Sequence, residues 1–292
     1  MNTIAIILVV ISALLHALKN LFTKGSGDKQ VFVWWNNVFS ILFCLPVFSY
    51  FLFQKGFEEL SVYYWCLVSG SIHFLYWIFL SKSYEKGDLS HVYPIMRSSP
   101  ALVLLLAVFF LKEEVSPQGI IGILLVAIGV YSINIKSITP SELSKPIRLI
   151  LHDRTTQYAF LTLLSVSLYS IVDKVAVSLI HPLLFIFYHI FFAMLLYTPY
   201  IAYIKKREDV KREWTSNKGI IILNGFLAIL GYSLILVAFS IERVSYIVGL
   251  RQLSIVFAVF MGSHLLKEKH MAIRLTCAMV IFVGAFFISI AK

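Results

Sequence analysis

Apolar runs of roughly 20 residues recur from one end of this chain to the other, separated by short polar stretches. A helix rises about 1.5 Å per residue, so each such run is long enough to cross the hydrocarbon core of a bilayer. The pattern predicts ten spans, at about 3–22, 31–53, 62–82, 89–111, 117–135, 157–178, 182–204, 218–241, 244–265 and 271–290. A closed barrel would read as short alternating strands instead. The expected fold class is therefore an all-α polytopic membrane protein. The first run has no basic leader, is too long for a signal-peptide core and is followed at once by a second run, so it is expected to stay as a span.

The pattern also repeats. "LHALKN" (15–20) is answered by "LYSIVD" (168–173), "YPIMR" by "IVGLR", ending at Arg97 and Arg251, and "LKEE" (111–114) by "LKEK" (266–269). Gly129 and Gly284 occupy matching places, and the offset stays at 153–155 residues throughout. Five spans per copy is an odd number, so the second copy must enter the membrane upside down. The expected organisation is a first five-helix repeat over 1–136, a linker over 137–156 and an inverted second repeat over 157–292. Inverted repeats offer two similar arrangements around a midplane site, the architecture of many secondary transporters. Within the linker, "LSKPIRLIL" is a candidate for a short basic interfacial helix.

Composition and charge sharpen this picture. The 292 residues are 59% hydrophobic, 15% aromatic and 14% charged, against about 25% charged in a soluble domain. The net charge of +10 raises the question of nucleic acid, but its distribution excludes that reading. Seventeen of the 25 Lys and Arg residues fall in loops 1–2, 3–4, 5–6, 7–8 and 9–10, and four on the opposite side. Positive loops stay cytoplasmic, so the basicity reports topology and puts both termini outside a cell (inner or plasma) membrane. Cys44, Cys66 and Cys277 all fall inside spans, with neither a disulfide framework nor zinc spacing.

"LLHALKN…GDKQVFVWWNN" and then "SGSIHFLYWIFLSKSYEKGDLSHVYPIMRSSPALVLLLAVFFLKEEVSPQGIIGILLVAIGVYSI" resemble the EamA branch of the drug/metabolite transporter superfamily. The most specific part is an aromatic third span, a "GDLS-VYP" turn and a helix ending near "KE--SP", in that order. The resemblance covers both halves and implies a ten-helix inverted-repeat carrier with a central cavity. Such carriers move amino acids, sugars or their derivatives by exchange or ion coupling. Two departures stand out. Leu18-Lys19 precedes Asn20 where relatives often have a small residue and Trp, and the family is described with cytoplasmic termini, opposite to the loop charges here.

Charged groups in spans are costly and usually face a cavity or a partner. Arg97 lies deep in the fourth span, where it either binds a carboxylate or phosphate bidentately or snorkels to the cytoplasmic rim. Pro94, near that helix's start, is a start or kink signal. Arg251 is the repeat partner of Arg97. With Asp173 it is expected to form an outer ion pair, a gate or a structural tie, and Lys174 should reach the same level. His16 and Asn20, one turn apart, are expected to join Arg97 in an inner patch. His16 is the candidate proton-linked group, with a packing histidine as the alternative.

Tyr76, three residues after His73, and Tyr93, Tyr169, Tyr232, Tyr246 and Trp35 are candidate cavity walls. Packed core is the alternative for His73, Tyr76 and His189. Trp34 and Trp35 double as interface-belt residues. Lys19 reads as a snorkelling side chain, and "LKEE" as solvated charge. The small residues Gly119, Gly122, Gly129, Ala278 and Gly284 permit close helix packing, within the chain or in a homodimer.

These features favour a secondary transporter of a small polar metabolite, leaning to one with an acidic group: an amino acid, sugar derivative or phosphonate. The expected partners are that solute, lipid, and a coupling ion or counter-substrate; no cofactor and no nucleic acid are expected. An enzyme would need a nucleophile elbow, metal spacing or phosphate loop, and the isolated His152-Asp153 pair supplies none. The remaining alternative is a non-transporting subunit of a membrane complex, for example one that flips a lipid-linked sugar.

Overall fold

The computed structural model describes residues 1–56, 58–86, 95–132, 152–266 and 271–292, and the secondary structure there is helical. Tyr93, Pro94 and the interfacial-helix candidate of the linker lie outside the described residues. The helices are α1 (Thr3–Lys24), α2 (Lys29–Lys55), α3 (Leu60–Lys86), α4 (Ser99–Phe110), α5 (Pro117–Ser132) and α6 (Arg154–Leu179). They continue as α7 (Pro182–Ile204), α8 (Arg207–Ile241), α9 (Val244–Arg251), α10 (Leu253–Leu266) and α11 (Met271–Ile290).

Six of these contain stretches long and apolar enough to span a membrane: Thr3–Thr23, Lys29–Gln54, Leu60–Ser83, Arg154–Leu179, Pro182–Ile204 and Arg207–Ile241. Shorter apolar helical stretches run over Ile95–Phe110, Pro117–Ser132, Val244–Val259 and Leu275–Ile290.

Local chemistry starts these helices where the polar punctuation stands. Asn2 caps α1 by accepting from Ile4 N at 2.8 Å, and Asp28 caps α2 by accepting from Gln30 N at 3.1 Å and Val31 N at 3.2 Å. Asp153 caps α6, accepting from Thr156 N at 2.7 Å, which gives the His152-Asp153 pair a structural use. Within α6, Thr162, Ser165, Ser167 and Ser170 each donate to the carbonyl four residues back. Their hydroxyls are thereby satisfied without a partner helix.

Two ends of the bundle can be told apart by contacts. The Met1 ammonium donates to Ala291 O at 2.6 Å, and Asn2 N to the Glu242 carboxylate at 2.8 Å. Glu113 accepts from Val244 N at 2.6 Å and from the Ser245 hydroxyl at 2.7 Å, so it caps α9 and is not merely solvated charge. Both termini thus share one end with the connections after α4 and α8. At the other end Lys205 pairs with Asp28 at 2.6 Å, and Glu213 accepts from Asp28 N at 2.9 Å.

Helix α8 begins eleven residues before the expected span, at Arg207, with a non-helical kink at Asn217 (φ −130°, ψ 15°). Tertiary contact explains the extra turns. Trp214 stacks on Phe39 at 5.4 Å and lies 4.9 Å from Trp35, while Glu213 is buried against the α1–α2 turn. Gly122 and Gly129 of α5 and Gly284 of α11 serve packing between these two helices, while Gly119 faces Tyr246 of α9. A Cβ on Gly122 would sit 2.7 Å from Gly284 O, and one on Gly284 would sit 2.7 Å from Gly122 O.

Candidate functional site

The fourth and ninth apolar stretches both break one residue after their arginine. Residues 95–97 form a helical turn that closes with Ser98 N donating to Ile95 O at 3.1 Å, and α4 restarts at Ser99. Arg251 ends α9, Gln252 N donates to Gly249 O at 3.2 Å, and α10 restarts at Leu253. Pro100 contributes to the first break, because it has no N–H to donate to Met96 O and its ring crowds that carbonyl. Gln252 has no such cause in its own residue type. The two breaks are related by the sequence repeat, and each leaves a guanidinium at the joint. Broken helices at membrane depth are tolerated where they are buried in protein or line a water-filled space.

Arg97 reaches His16 of α1, Nη1 to Nε2, at 3.2 Å. A guanidinium only donates, so His16 accepts and presents a lone pair at Nε2. Lys19, one turn along α1, lies within electrostatic reach of Arg97 and Arg251, as does His16. Asn20 is half-buried on the same helix. His16, Lys19, Tyr76 and Tyr232 each keep part of their surface accessible.

Arg251 lies over the ring of Tyr232 of α8, 5.5 Å from Cζ to the ring centre, and its Nε is buried without a hydrogen-bond partner. The hydroxyl of the same tyrosine donates to Asp173 Oδ2. The other Asp173 oxygen accepts from the Ser69 hydroxyl of α3 at 2.5 Å. Asp173 is 0% exposed, and His73 Nε2 lies 4.0 Å from its Oδ2. Tyr169 stacks on His73 at 4.1 Å, Tyr76 meets Tyr169 edge-on at 5.6 Å, and His189 of α7 lies 4.7 Å from His73.

Several expectations are corrected by this geometry. The expected Asp173–Arg251 ion pair is not among the described contacts, because two hydroxyls take the carboxylate and Tyr232 links it to the guanidinium. The expected inner and outer patches merge, since Arg251 acts on His16 and Lys19 as Arg97 does. Lys19 does not read as a rim residue.

Other expected partners lie elsewhere. Lys174 turns away to the carbonyls of Phe239 and Glu242, closing the end of α8. Trp35 donates to Val210 O at 3.2 Å and belongs to the aromatic cluster with Trp214. Tyr246 is fully buried at the end holding the termini, where its hydroxyl accepts from Ser116 N at 3.1 Å. Arg97, His16, Asp173, Arg251, Tyr76 and Tyr169 do belong to one connected group. Ser69, His73, Tyr232, His189 and Lys19 complete it. On α3, Ser69, His73 and Tyr76 form a polar stripe at helical spacing, the signal that would have added Ser69 to the other two.

Among the described residues, the Arg97 and Arg251 guanidiniums and the Lys19 ammonium lie in one cluster with the Asp173 carboxylate. Among the described residues no three His, Cys, Asp or Glu side chains converge to hold a metal ion. An open groove of about 510 Å³ at the start of α3, lined by Leu60, Ser61, Tyr63, Tyr64, Leu67 and Phe192, brings no charged side chain.

Comparison with known proteins places this geometry in context. A solved crystal structure with no stated activity superposes with a TM-score of 0.69 at 14% identity, covering 98% of this chain and 96% of its own. That likeness concerns the fold. An uncharacterized protein of Methanocaldococcus jannaschii is 26% identical over 137 residues, which is 46% of this chain and 98% of that protein. A sequence model of the EamA-like transporter family matches residues 3–135 and again 155–290. The chain is a multi-pass membrane protein with two copies of that pattern, and it belongs to the EamA-like transporter family of the drug/metabolite type.

Proposed function

We propose that this chain is a secondary transporter that moves a small polar metabolite bearing an acidic group by alternating access. The carrying observation is the pair of repeat-related helix breaks, each ending in an arginine and drawn into one cation-rich cluster. Arg97 and Arg251 hold the acidic group, with Lys19 adding charge, His16 positioning Arg97, and Tyr76 and Tyr169 forming walls. The arginine fork matches the geometry of carboxylate and phosphate groups, which favours an acidic solute such as an amino acid, a sugar acid or a phosphonate.

The full architecture in this reading is ten membrane-crossing helices in two inverted repeats, 1–136 and 157–292, joined by 137–156. A relative whose whole length matches about half the chain supports a five-helix unit. Termini at one end of the bundle support an even number of crossings. The loop charges favour termini outside the cell membrane.

The test is counterflow with the purified chain alone in liposomes, using a panel of acidic amino acids, hexuronates and phosphonates. Exchange of at least one acidic compound, lost in Arg97→Ala and Arg251→Ala at equal protein incorporation, is expected. Wild-type rates in both variants would refute the role of the arginines. Activity only with a second protein present would mark the chain as a subunit of a membrane complex.

A further inference from the structure

The carboxylate arm of the cluster has a chemistry of its own. Both Asp173 oxygens are taken by hydroxyls, Ser69 from the first half of the chain and Tyr232 from the second. With 0% exposure the carboxylate is sealed from a solute's ammonium group. A proton is small enough to reach it. Hydroxyl donors suit that exchange, because Ser69 and Tyr232 can rotate and accept once the carboxyl carries a hydrogen; an ammonium or guanidinium could not.

His73 supplies the adjoining position. Its Nδ1 lies 3.0 Å from Ser69 O, and a carbonyl only accepts, so Nδ1 carries the hydrogen. In the neutral ring the lone pair then lies at Nε2, 4.0 Å from Asp173 Oδ2. Two acceptors facing each other make a place for one proton. His189, 2% exposed and oriented by Phe185 O at 3.3 Å from its Nδ1, continues the path beside His73.

We propose that Asp173, with His73, is a proton-binding site linked through Tyr232 to anion occupancy at Arg251, so that an acidic solute and a proton are carried together. This inference rests on the carrier reading above. While Asp173 is ionised it partly neutralises the field at Arg251, and Coulomb attraction for an incoming anion is reduced. Protonation removes that competition, so the anion binds more tightly. By reciprocity the bound anion favours the proton. The proton comes from water on the side where the solute enters and returns to water on the side where it leaves, with no other bond made or broken.

The charged and titratable groups that face Asp173 are consistent with this role. Cys66 and His73 approach from α3, Tyr169 from its own helix and Tyr232 from α8, while Tyr76 stands beyond Tyr169 and His189 of α7 beyond His73. Arg251 approaches from α9, with His16 and Lys19 of α1 and Arg97 behind it. Lys174, next in sequence, is occupied by the α8 carbonyls.

Infrared spectroscopy of [4-13C]aspartate-labelled protein in liposomes, with no solute present, reads the proton directly. A labelled carboxylic-acid band should fade as pH rises, and Asp173→Asn should lack it. Arg251→Gln removes the neighbouring cation, so the acid band should persist to higher pH. Should Asp173→Asn fail to insert, Tyr232→Phe takes its place: losing one donor to the carboxylate should also carry the acid band to higher pH. A labelled aspartate ionised at every pH, a band that ignores pH, or a band unmoved in Arg251→Gln would each overturn the proposal. The titration needs no transport, so a chain that titrates in this way yet moves no solute contradicts the carrier reading alone.

Discussion

Arg97 and His16 meet at 3.2 Å, guanidinium to imidazole, and the direction of that hydrogen bond is fixed because arginine can only donate. His16 thus acts as an acceptor that positions a cation. Glutamine preserves an acceptor oxygen, whereas lysine sets a second donor against the first. His16→Gln should keep counterflow within severalfold of wild type, and His16→Lys should abolish it at equal membrane content. Equal loss in both variants would show that the imidazole itself is required.

Lys19 carries charge into the cluster rather than to the rim. Replacing it by methionine keeps the apolar stem and removes one cation. A charge-assisted hydrogen bond contributes about 1.5–3 kcal/mol, so apparent affinity for an acidic solute should fall roughly 10–100-fold with the maximal rate less affected. Saturation curves in proteoliposomes check this. An unchanged KM would return Lys19 to a purely interfacial role.

Gly122 and Gly284 hold α5 and α11 at backbone contact. Alanine at either position drives a methyl group to 2.7 Å from the facing carbonyl oxygen, which only a helix shift can relieve. Overpacking of this kind costs about 1–3 kcal/mol. A lowered melting temperature in detergent is expected for each variant, with transport specificity unchanged. Since the two residues share one contact, the double variant should cost less than the sum of the singles.

Glu113 ties the end of the fourth span to the start of α9 by accepting from Val244 N and the Ser245 hydroxyl. Glu113→Ala leaves those donors without their acceptor, and loss of such a cap costs about 1–2 kcal/mol. A fall in thermal stability is expected with the proton titration of Asp173 unaltered. A changed titration would mean that this end of the bundle reaches further into the cluster than its contacts show.

Much of the fold is legible in the spacing of apolar runs, because a bilayer demands long helices and tolerates little else. The repeat-related pair Arg97 and Arg251 is equally legible, since charge inside an apolar run is rare enough to stand out. The helix breaks beside them divide differently. Pro100 marks the first in sequence, but nothing in the Arg251-Gln252-Leu253 step marks the second. The partnership of Asp173 was misread for a related reason. Opposite charges at a similar depth suggest a pair, while the hydroxyls of Ser69 and Tyr232 that take the carboxylate are commonplace in spans and carry no distinctive signal. Trp35 packs instead against Trp214, on a polar segment that precedes the eighth apolar run.

Water access to the cation cluster is the most direct test of the whole reading. With Cys44, Cys66 and Cys277 replaced by alanine, Asn20→Cys and Ser98→Cys place single thiols beside His16 and Arg97 while leaving both in place. A membrane-impermeant thiol reagent applied from each side should label both positions, and an acidic solute that is transported should slow the labelling. Thiols at both positions that stay unlabelled from either side, under every condition that supports transport, would contradict a hydrated cluster at Arg97 and Arg251.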